Sequence, residues 1–359
     1  MEIKGHRDRW SVEDSLAELA NLARTADAEV VGQLIQRLER PLPTYLGSGK
    51  LKELTALQSE TGYSVVIFDD ELSPRQQRNL EEALQVKVID RTALILDIFA
   101  RRAQTREGQL QVELAQNQYL LPRLVGQWSH LERLGGGIGT RGPGESQLET
   151  DRRLVEQRIH RLKAEIEQVR RHRALYRKQR KRGGISIVSL VGYTNSGKST
   201  LLNTLSSADV LVEDKLFTTL DPVTRRLTLA NQQPILLTDT VGFIHKLPPM
   251  VVAAFRATLE ELSEADLILH LVDITHKNAA EQCQTVEDIL VELNLNDKPR
   301  LTLLNKIDLL GGDGLVEDQL AQQLQQIDSQ GMLFISAAKG LGLPELLDRI
   351  SAILVMSRA

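Results

Sequence analysis

The strongest constraint on the fold lies in the middle of the chain, where an apolar run leads into a loop bracketed by glycines. Residues 185–191 are apolar and rich in β-formers, and residues 192–199 read GYTNSGKS, which matches the pattern G-x-x-x-x-G-K-[ST]. Leu201, Leu202 and Leu205 then follow at helical spacing. Strand, loop and helix in this order predict a phosphate-binding loop at a helix N-terminus. The C-terminal half is therefore expected to be a P-loop domain with a mostly parallel sheet.

A second motif selects the base that accompanies the phosphates. A predicted strand ends in NKID, residues 305–308, and the carboxylate of Asp308 can accept hydrogen bonds from guanine N1–H and its N2 amine. Adenine offers no such pair of donors, so the chain is expected to bind GTP and GDP. The predicted nucleotide ligands are Gly192, Asn195, Ser196, Gly197, Lys198, Ser199, Thr200, Asn305, Lys306, Asp308, Ser336 and Ala337.

Between these motifs the sequence carries the features of a nucleotide switch. Ser199 and Asp239, in the stretch DTVGF, are expected to hold Mg²⁺, and Thr219 is expected to close on the ion in the triphosphate state. Thr218 is adjacent and competes for that role. The backbone N–H of Gly242 would sense the γ-phosphate.

One position departs from many GTPases, which place a glutamine after this glycine to orient the attacking water. Phe243 stands there and has no lone pair to offer, so we expect slow hydrolysis alone or groups borrowed from a partner, and no catalytic residue is assigned. Asn195 either helps to hold K⁺ beside the phosphates or only shapes the loop.

The N-terminal hundred residues are expected to form a small α/β domain. A GSGK stretch at residues 47–50 precedes a predicted helix and is either an anion site or a plain turn. Predicted helices cover residues 11–24, 72–84 and 92–101, and predicted strands cover residues 29–35, 64–68 and 86–89.

Two heptad patterns with a period of 3.5 follow, over residues 110–131 and 148–176, and predict an antiparallel helical hairpin in the form of a coiled coil. The connector at residues 135–146 is rich in glycine and longer than bundle loops usually are. It is either a bland connector or a probe that approaches a crowded surface closely, and we favour the probe.

Charge is concentrated on the second hairpin helix. Residues 151–182 carry 13 Lys and Arg against 4 Asp and Glu, within a chain of net charge −4. This excess favours contact with RNA phosphates over a merely solvated helix face, and Arg123 and Arg133 are expected to add to it. The candidate RNA-binding residues are Gly137, Thr140, Arg141, Gly142, Arg152 and Arg153.

At 359 residues the chain suggests several domains, which we place at residues 1–104, 105–182 and 183–359. The single cysteine, Cys283, is expected to be a core residue, and it excludes an internal disulfide framework. The absence of a signal peptide and of a long apolar run favours a cytoplasmic protein without a membrane span.

The stretches GGGIGTRGPGESQLETDRR, GYTNSGKST, LFTTLDPVTRR and DTVGFIHKLP closely resemble the HflX family of ribosome-associated GTPases. The resemblance implies that the chain binds the large (50S) ribosomal subunit and its rRNA, with the hairpin loop near the peptidyl-transferase centre. It further implies GTP-dependent splitting or rescue of stalled or stress-inactivated ribosomes.

The chain ends soon after the last predicted helix, so the small C-terminal domain of some relatives is expected to be absent, and the free protein is expected to be a monomer. The alternative function is that of a GTP-gated, RNA-binding ribosome-assembly factor, in which hydrolysis serves only as a timer.

Overall fold

The computed structural model describes residues 2–3, 10–38, 45–127, 143–182, 185–206, 216–248, 250–252, 262–310 and 331–356. The chain divides into two compact units. The first unit contains Met1–Arg101, Arg106–Val169 and Pro248–Ala254, and the second contains Arg102–Thr105, Arg170–Leu247 and Phe255–Ala359. None of the described helices combines the length and the hydropathy that a bilayer crossing requires.

The first unit begins with a small α/β arrangement. Two pairs of short parallel strands form in it, Glu2–Ile3 with Arg37–Leu38 and Val65–Phe68 with Lys87–Asp90. The third helix starts at a Ser73 capping box with proline in its first turn, which explains its sharp beginning. The elements are β1 (Glu2–Ile3), α1 (Val12–Thr25), β2 (Arg37–Leu38), α2 (Ser48–Thr61), β3 (Val65–Phe68), α3 (Pro74–Leu84), β4 (Lys87–Asp90) and α4 (Arg91–Arg102).

The strand predicted over residues 29–35 is wrong, because the structure has no strand between residues 26 and 36. Gly32 falls in the middle of this stretch and weakens any strand there. Val31 is exposed, so the β-branched residues that suggested a strand are not packed as one.

A buried ion-pair cluster links α1, the residue after β3, and α4, and no sequence pattern predicted it. The Arg91 guanidinium donates to Oε2 of Glu18 at 2.9 Å and to Oδ1 of Asp69 at 3.1 Å. The hydroxyl of Ser15 donates to the other oxygen of Asp69 at 2.6 Å. All four side chains are buried, so removing one partner is expected to be costly.

The hairpin consists of α5 (Arg106–Gln127) and α6 (Pro143–Arg182), and its connector at residues 128–142 lies outside the described residues. Arg106 pairs with Glu165 at 2.7 Å, and Arg158 donates to Glu113 at 2.7 Å. From the first contact to the second, the position on α5 advances by seven residues and the position on α6 goes back by seven residues. This confirms that the two helices run antiparallel.

Arg123 was expected to reach phosphates from the hairpin, and that expectation is wrong. Its guanidinium is buried, where it donates to Oδ2 of Asp90 at 3.2 Å and to the carbonyl of Leu72 at 2.7 Å. It also lies over the ring of Tyr119, 3.5 Å from the ring centroid. Arg123 therefore fastens α5 to the α/β part of the first unit, and the second predicted cation, Arg133, lies outside the described residues.

The second unit contains a six-stranded sheet formed, in spatial order, by Met332–Phe334 (β10), Arg300–Asn305 (β9), Leu267–Asp273 (β8), Ser186–Gly192 (β5), Pro234–Asp239 (β7) and Val223–Thr228 (β6). The sheet is parallel throughout except for β6. Leucine, isoleucine and valine from the central strands form its core, and Cys283 is buried in a neighbouring cluster, as predicted. The elements are β5 (Ser186–Gly192), α7 (Lys198–Ser206), β6 (Val223–Thr228), β7 (Pro234–Asp239), β8 (Leu267–Asp273), α8 (Ala279–Glu292), β9 (Arg300–Asn305), β10 (Met332–Phe334) and α9 (Leu343–Met356). This sheet confirms the predicted α/β fold with a P-loop domain.

The short segment Arg102–Thr105, which joins α4 to α5, belongs to the second unit. Oδ2 of Asp221 accepts hydrogen bonds from the backbone N–H of Gln104 at 2.7 Å and of Thr105 at 2.9 Å. The Thr105 hydroxyl donates to the other oxygen of Asp221. One carboxylate thus holds the backbone that leads into α5.

Candidate active site

The phosphate-binding loop lies at the carboxyl end of the central strand β5 and leads into α7. At two positions of this loop only glycine fits, because a side chain would collide with neighbouring atoms. A Cβ atom at Gly192 would lie 2.4 Å from the carbonyl oxygen of Leu271, and one at Gly197 would lie 2.2 Å from Nδ2 of Asn305. Gly197 also has φ of +97°, which disfavours any side chain. The backbone of this loop can therefore pack directly against the ends of β8 and β9.

The residues predicted to recognise guanine lie beside this loop, at the carboxyl ends of β9 and β10. Asn305 is buried and donates from Nδ2 to the carbonyl of Ser196 at 2.8 Å, while its Oδ1 accepts from the N–H of Ala337 at 2.9 Å. The Ser336 hydroxyl donates to Oδ1 of Asp308 at 2.6 Å. Asn305 therefore ties the phosphate-binding loop to both segments that were predicted to read the base.

The three predicted Mg²⁺ ligands converge at the start of α7. The Ser199 hydroxyl donates to Oδ2 of Asp239 at 2.6 Å and lies 2.8 Å from the hydroxyl of Thr219. Oδ1 of Asp239 is buried and has no hydrogen-bond partner among the residues that the structure describes. Of the two adjacent threonines, Thr219 is the one whose hydroxyl meets Ser199.

The chemistry of this donor set fits a small divalent cation, which prefers hydroxyl and carboxylate oxygens. Burial raises the pKa of Asp239, and the charge of Lys198 and the hydrogen bonds from Ser199 and Thr219 oppose that rise. A cation beside the unpartnered Oδ1 would supply the interaction that this buried carboxylate lacks.

Lys198 is the cation that the sequence predicts to bind the phosphates. Its ammonium is buried and donates to the backbone carbonyls of Gly192 at 3.2 Å and Tyr193 at 2.8 Å. Burial lowers the pKa of Lys198 to about 8, Asp239 opposes that effect, and Lys306 adds to it. A bound polyanion would favour the charged form of this lysine.

The segment that contains Gly242 lies against the phosphate-binding loop. The N–H of Thr194 donates to the carbonyl of Phe243 at 2.8 Å, and the N–H of Phe243 donates to the carbonyl of Gly192 at 3.1 Å. The Phe243 ring is fully buried, so its side chain does not point into the site where a glutamine would act. Thr240 anchors the same segment by donating to the carbonyl of Leu190 at 2.6 Å.

Sequence reasoning missed two residues that shape this site. Tyr193 follows the first glycine of the loop, and its hydroxyl accepts a hydrogen bond from the N–H of His245. Asp273, at the end of β8, pairs with Lys306 at 2.7 Å and holds the NKID turn. Asp273 could have been noted because it ends a buried apolar strand at the same sheet edge as Asn305.

The candidate RNA-binding residues fall in two groups. Arg152 and Arg153 are exposed on α6, and Arg152 pairs with Glu156 at 3.0 Å one turn away. The residues at the tip of the hairpin lie outside the described residues: Gly137, Thr140, Arg141 and Gly142.

Comparison with known proteins identifies the family. Three family models match consecutive stretches: "GTP-binding GTPase N-terminal" at residues 13–100, "GTP-binding GTPase Middle Region" at 102–180 and "50S ribosome-binding GTPase" at 187–306. The GTPase HflX of Lacrimispora saccharolytica is 51% identical over 348 residues, which cover 97% of this chain and 80% of the relative. The chain belongs to the HflX family of GTPases.

A second HflX relative and two solved structures agree with this assignment. The GTPase HflX of Escherichia coli K12 is 44% identical over 94% of this chain and 78% of its own length. A GTP-binding protein of Sulfolobus solfataricus in complex with GDP is 27% identical with a TM-score of 0.51, covering 96% of both chains. A structure of SsGBP in complex with GDP is 28% identical in sequence, with a TM-score of 0.53, and the match covers 96% of both chains. As an HflX family member with this P-loop site, the chain is a GTP hydrolase that binds guanine nucleotides.

Proposed function

We propose that this GTPase binds the large ribosomal subunit and splits or rescues stalled or stress-inactivated ribosomes, and that the ribosome stimulates its GTP hydrolysis. The observation that carries the proposal is the match of residues 187–306 to a family described as "50S ribosome-binding GTPase", within a chain of the HflX family. The protein then works in the cytoplasm, as a monomer when it is free of ribosomes.

Within the nucleotide site, we assign separate groups of residues to the phosphates, the base and Mg²⁺. Backbone N–H groups of the loop from Gly192 to Thr200 and the ammonium of Lys198 bind the phosphates, and Asp308 binds guanine. Ser199, Thr219 and Asp239 hold Mg²⁺, which neutralises charge on the β- and γ-phosphates when it is bound. Asn195, at φ of +62°, either helps to hold K⁺ beside the phosphates or only shapes the loop.

Stimulation by a partner follows from the position of Phe243. A fully buried phenyl ring cannot orient an attacking water, so the groups that do so come from elsewhere. A ribosome that brings a polar group to this site would accelerate hydrolysis, much as a residue supplied by an activating protein accelerates other GTPases.

The hairpin supplies contacts with rRNA in this proposal. At 40 residues, α6 extends for about 60 Å at about 1.5 Å per residue, and it carries the basic block of the chain. Arg152 and Arg153 bind phosphates on its exposed face, while Gly137, Thr140, Arg141 and Gly142 at the tip approach rRNA closely. The corresponding domains are residues 1–104, 105–182 with the tip at 135–146, and 183–359.

The proposal is tested by measuring GTP hydrolysis with and without purified 50S subunits, and by following light scattering of 70S ribosomes. We expect faster hydrolysis with 50S subunits and a fall in scattering with GTP. A variant in which residues 135–144 are replaced by a short turn should keep its intrinsic hydrolysis and lose the stimulation.

Unchanged hydrolysis in the presence of 50S subunits contradicts the proposal. Stimulated hydrolysis without any fall in 70S scattering instead supports the assembly-factor alternative. The Arg101→Met variant is a suitable control for the hairpin, since Arg101 is an exposed arginine outside it.

A further inference from the structure

Three hydrogen bonds between described residues join the segment around Gly242 to the phosphate-binding loop. Two join backbone groups of Gly192 and Thr194 to Phe243, and together they form a short parallel bridge between Tyr193 and Phe243. The third runs from the N–H of His245 to the hydroxyl of Tyr193. Tyr193 therefore contributes to this attachment through both its backbone and its side chain.

This attachment brings Gly242 close to the groups that bind phosphate. A Cβ atom at Gly242 would lie 2.9 Å from Cα of Thr194 and 3.0 Å from Nζ of Lys198. The loop, residues 217–219 and Gly242 line one pocket together, so Gly242 faces the same space as Lys198. A third phosphate placed between Lys198 and Gly242 would need more room than these contact distances leave.

We propose that Tyr193 is a positioning residue for this segment. Its hydroxyl holds residues 242–245 down on the phosphate-binding loop, and a triphosphate has to overcome this hold whereas a diphosphate does not. Tyr193 thereby sets the preference of the site between GDP and GTP.

The physical basis is the competition between two arrangements of one segment. The hydrogen bond to Tyr193 exists only while the segment lies on the phosphate-binding loop. A ligand that needs the segment to move away must break this bond, so its binding is weakened by the free energy of the bond. The Tyr193 ring is buried, so a phenylalanine in its place keeps the packing and removes only the hydroxyl that accepts from His245.

The test is the ratio of dissociation constants for GDP and a non-hydrolysable GTP analogue, measured by fluorescence with purified full-length protein and Mg²⁺. For Tyr193→Phe we expect the ratio to shift about fivefold towards the triphosphate, which corresponds to the loss of about 1 kcal/mol, one neutral hydrogen bond. Both ligands are measured on the same variant, so a smaller folded fraction changes neither constant relative to the other.

Tyr63→Phe is the matched control, because it also removes one hydroxyl bonded to the backbone, at the carbonyl of Leu54 in the first unit. Its ratio should equal that of the unaltered protein. Amide exchange in the GDP complex gives a second readout, and residues 242–245 should exchange faster in Tyr193→Phe alone.

A shift of about threefold or more towards the triphosphate supports the role of Tyr193, and a smaller shift or one towards GDP overturns it. The inference deepens the proposed function at its nucleotide site. Since the measurement contains no ribosomes, its failure and a failure of ribosome binding are seen in separate experiments.

Discussion

Replacing Arg91 by methionine would leave two buried carboxylates without the cation that lies between them. Glu18 and Asp69 are each 8% exposed, and Arg91 is 2% exposed. Breaking a buried ion pair by removing one partner costs about 3–5 kcal/mol, because the remaining charge stays in the protein interior. We therefore expect Arg91→Met to lower the free energy of unfolding of the first unit by about that amount.

A tryptophan reporter can confine the measurement to the first unit. The chain has two tryptophans, Trp10, which is buried in the first unit, and Trp128. In a Trp128→Phe background, urea titration followed by fluorescence then reports the unfolding around Trp10. Excess GDP keeps the second unit folded during the titration.

The matched control is Arg101→Met, which makes the same substitution at an exposed arginine paired with Asp97 at 2.8 Å. An exposed pair of this kind contributes about 0–1 kcal/mol. If Arg91→Met costs no more than Arg101→Met, the reasoning about the buried cluster is refuted. Adding Glu18→Gln and Asp69→Asn to Arg91→Met removes the unpaired charges and should recover part of the lost stability.

Three further predictions concern the nucleotide site. Lys198→Ala should weaken GDP binding by about 30-fold or more, because truncating one partner of a buried charged contact costs about 2–5 kcal/mol. Titration with fluorescent GDP measures this change, and retained tight binding would contradict the prediction. Asp308→Asn should favour xanthosine over guanosine diphosphate by about tenfold or more in competition assays, and an unchanged order would show that Asp308 does not read the base. Gly197→Ala places a methyl group 2.2 Å from Nδ2 of Asn305 at φ of +97°. That strain of about 1–3 kcal/mol should raise the Kd for GDP about tenfold, and an unaffected Kd would mean that the loop yields easily.

The parts of the site that the sequence predicts well are those whose chemistry requires fixed spacing along the chain. A phosphate-binding loop needs Gly197 and Lys198 next to each other after a strand, so local order is sufficient to find it. The proximity of Asn305 to this loop also follows from the sequence, because parallel strands end at one edge of the sheet.

The features that escaped prediction depend on partners far away in the chain. Arg123 looks like one more cation of a basic helix, and only Asp90, 33 residues earlier, makes it a buried residue. The stretch at residues 29–35 has β-forming side chains, but a strand also needs a neighbouring strand to pair with. No described strand pairs with this stretch, and the local sequence pattern cannot show that. The hydroxyl of Tyr193 acquires its role only when the segment of His245 folds back on the loop.

The hydrogen bonds from residues 104 and 105 to Asp221 have a consequence for the design of truncated variants. The border predicted between residues 104 and 105 falls within the segment that this carboxylate holds, so a cut there would divide the hydrogen bonds to Asp221 between two fragments. The backbone also passes from one unit to the other at residues 101–102, 105–106, 169–170, 247–248 and 254–255. No single cut therefore liberates either unit whole, and a truncated fragment that loses activity does not by itself locate that activity.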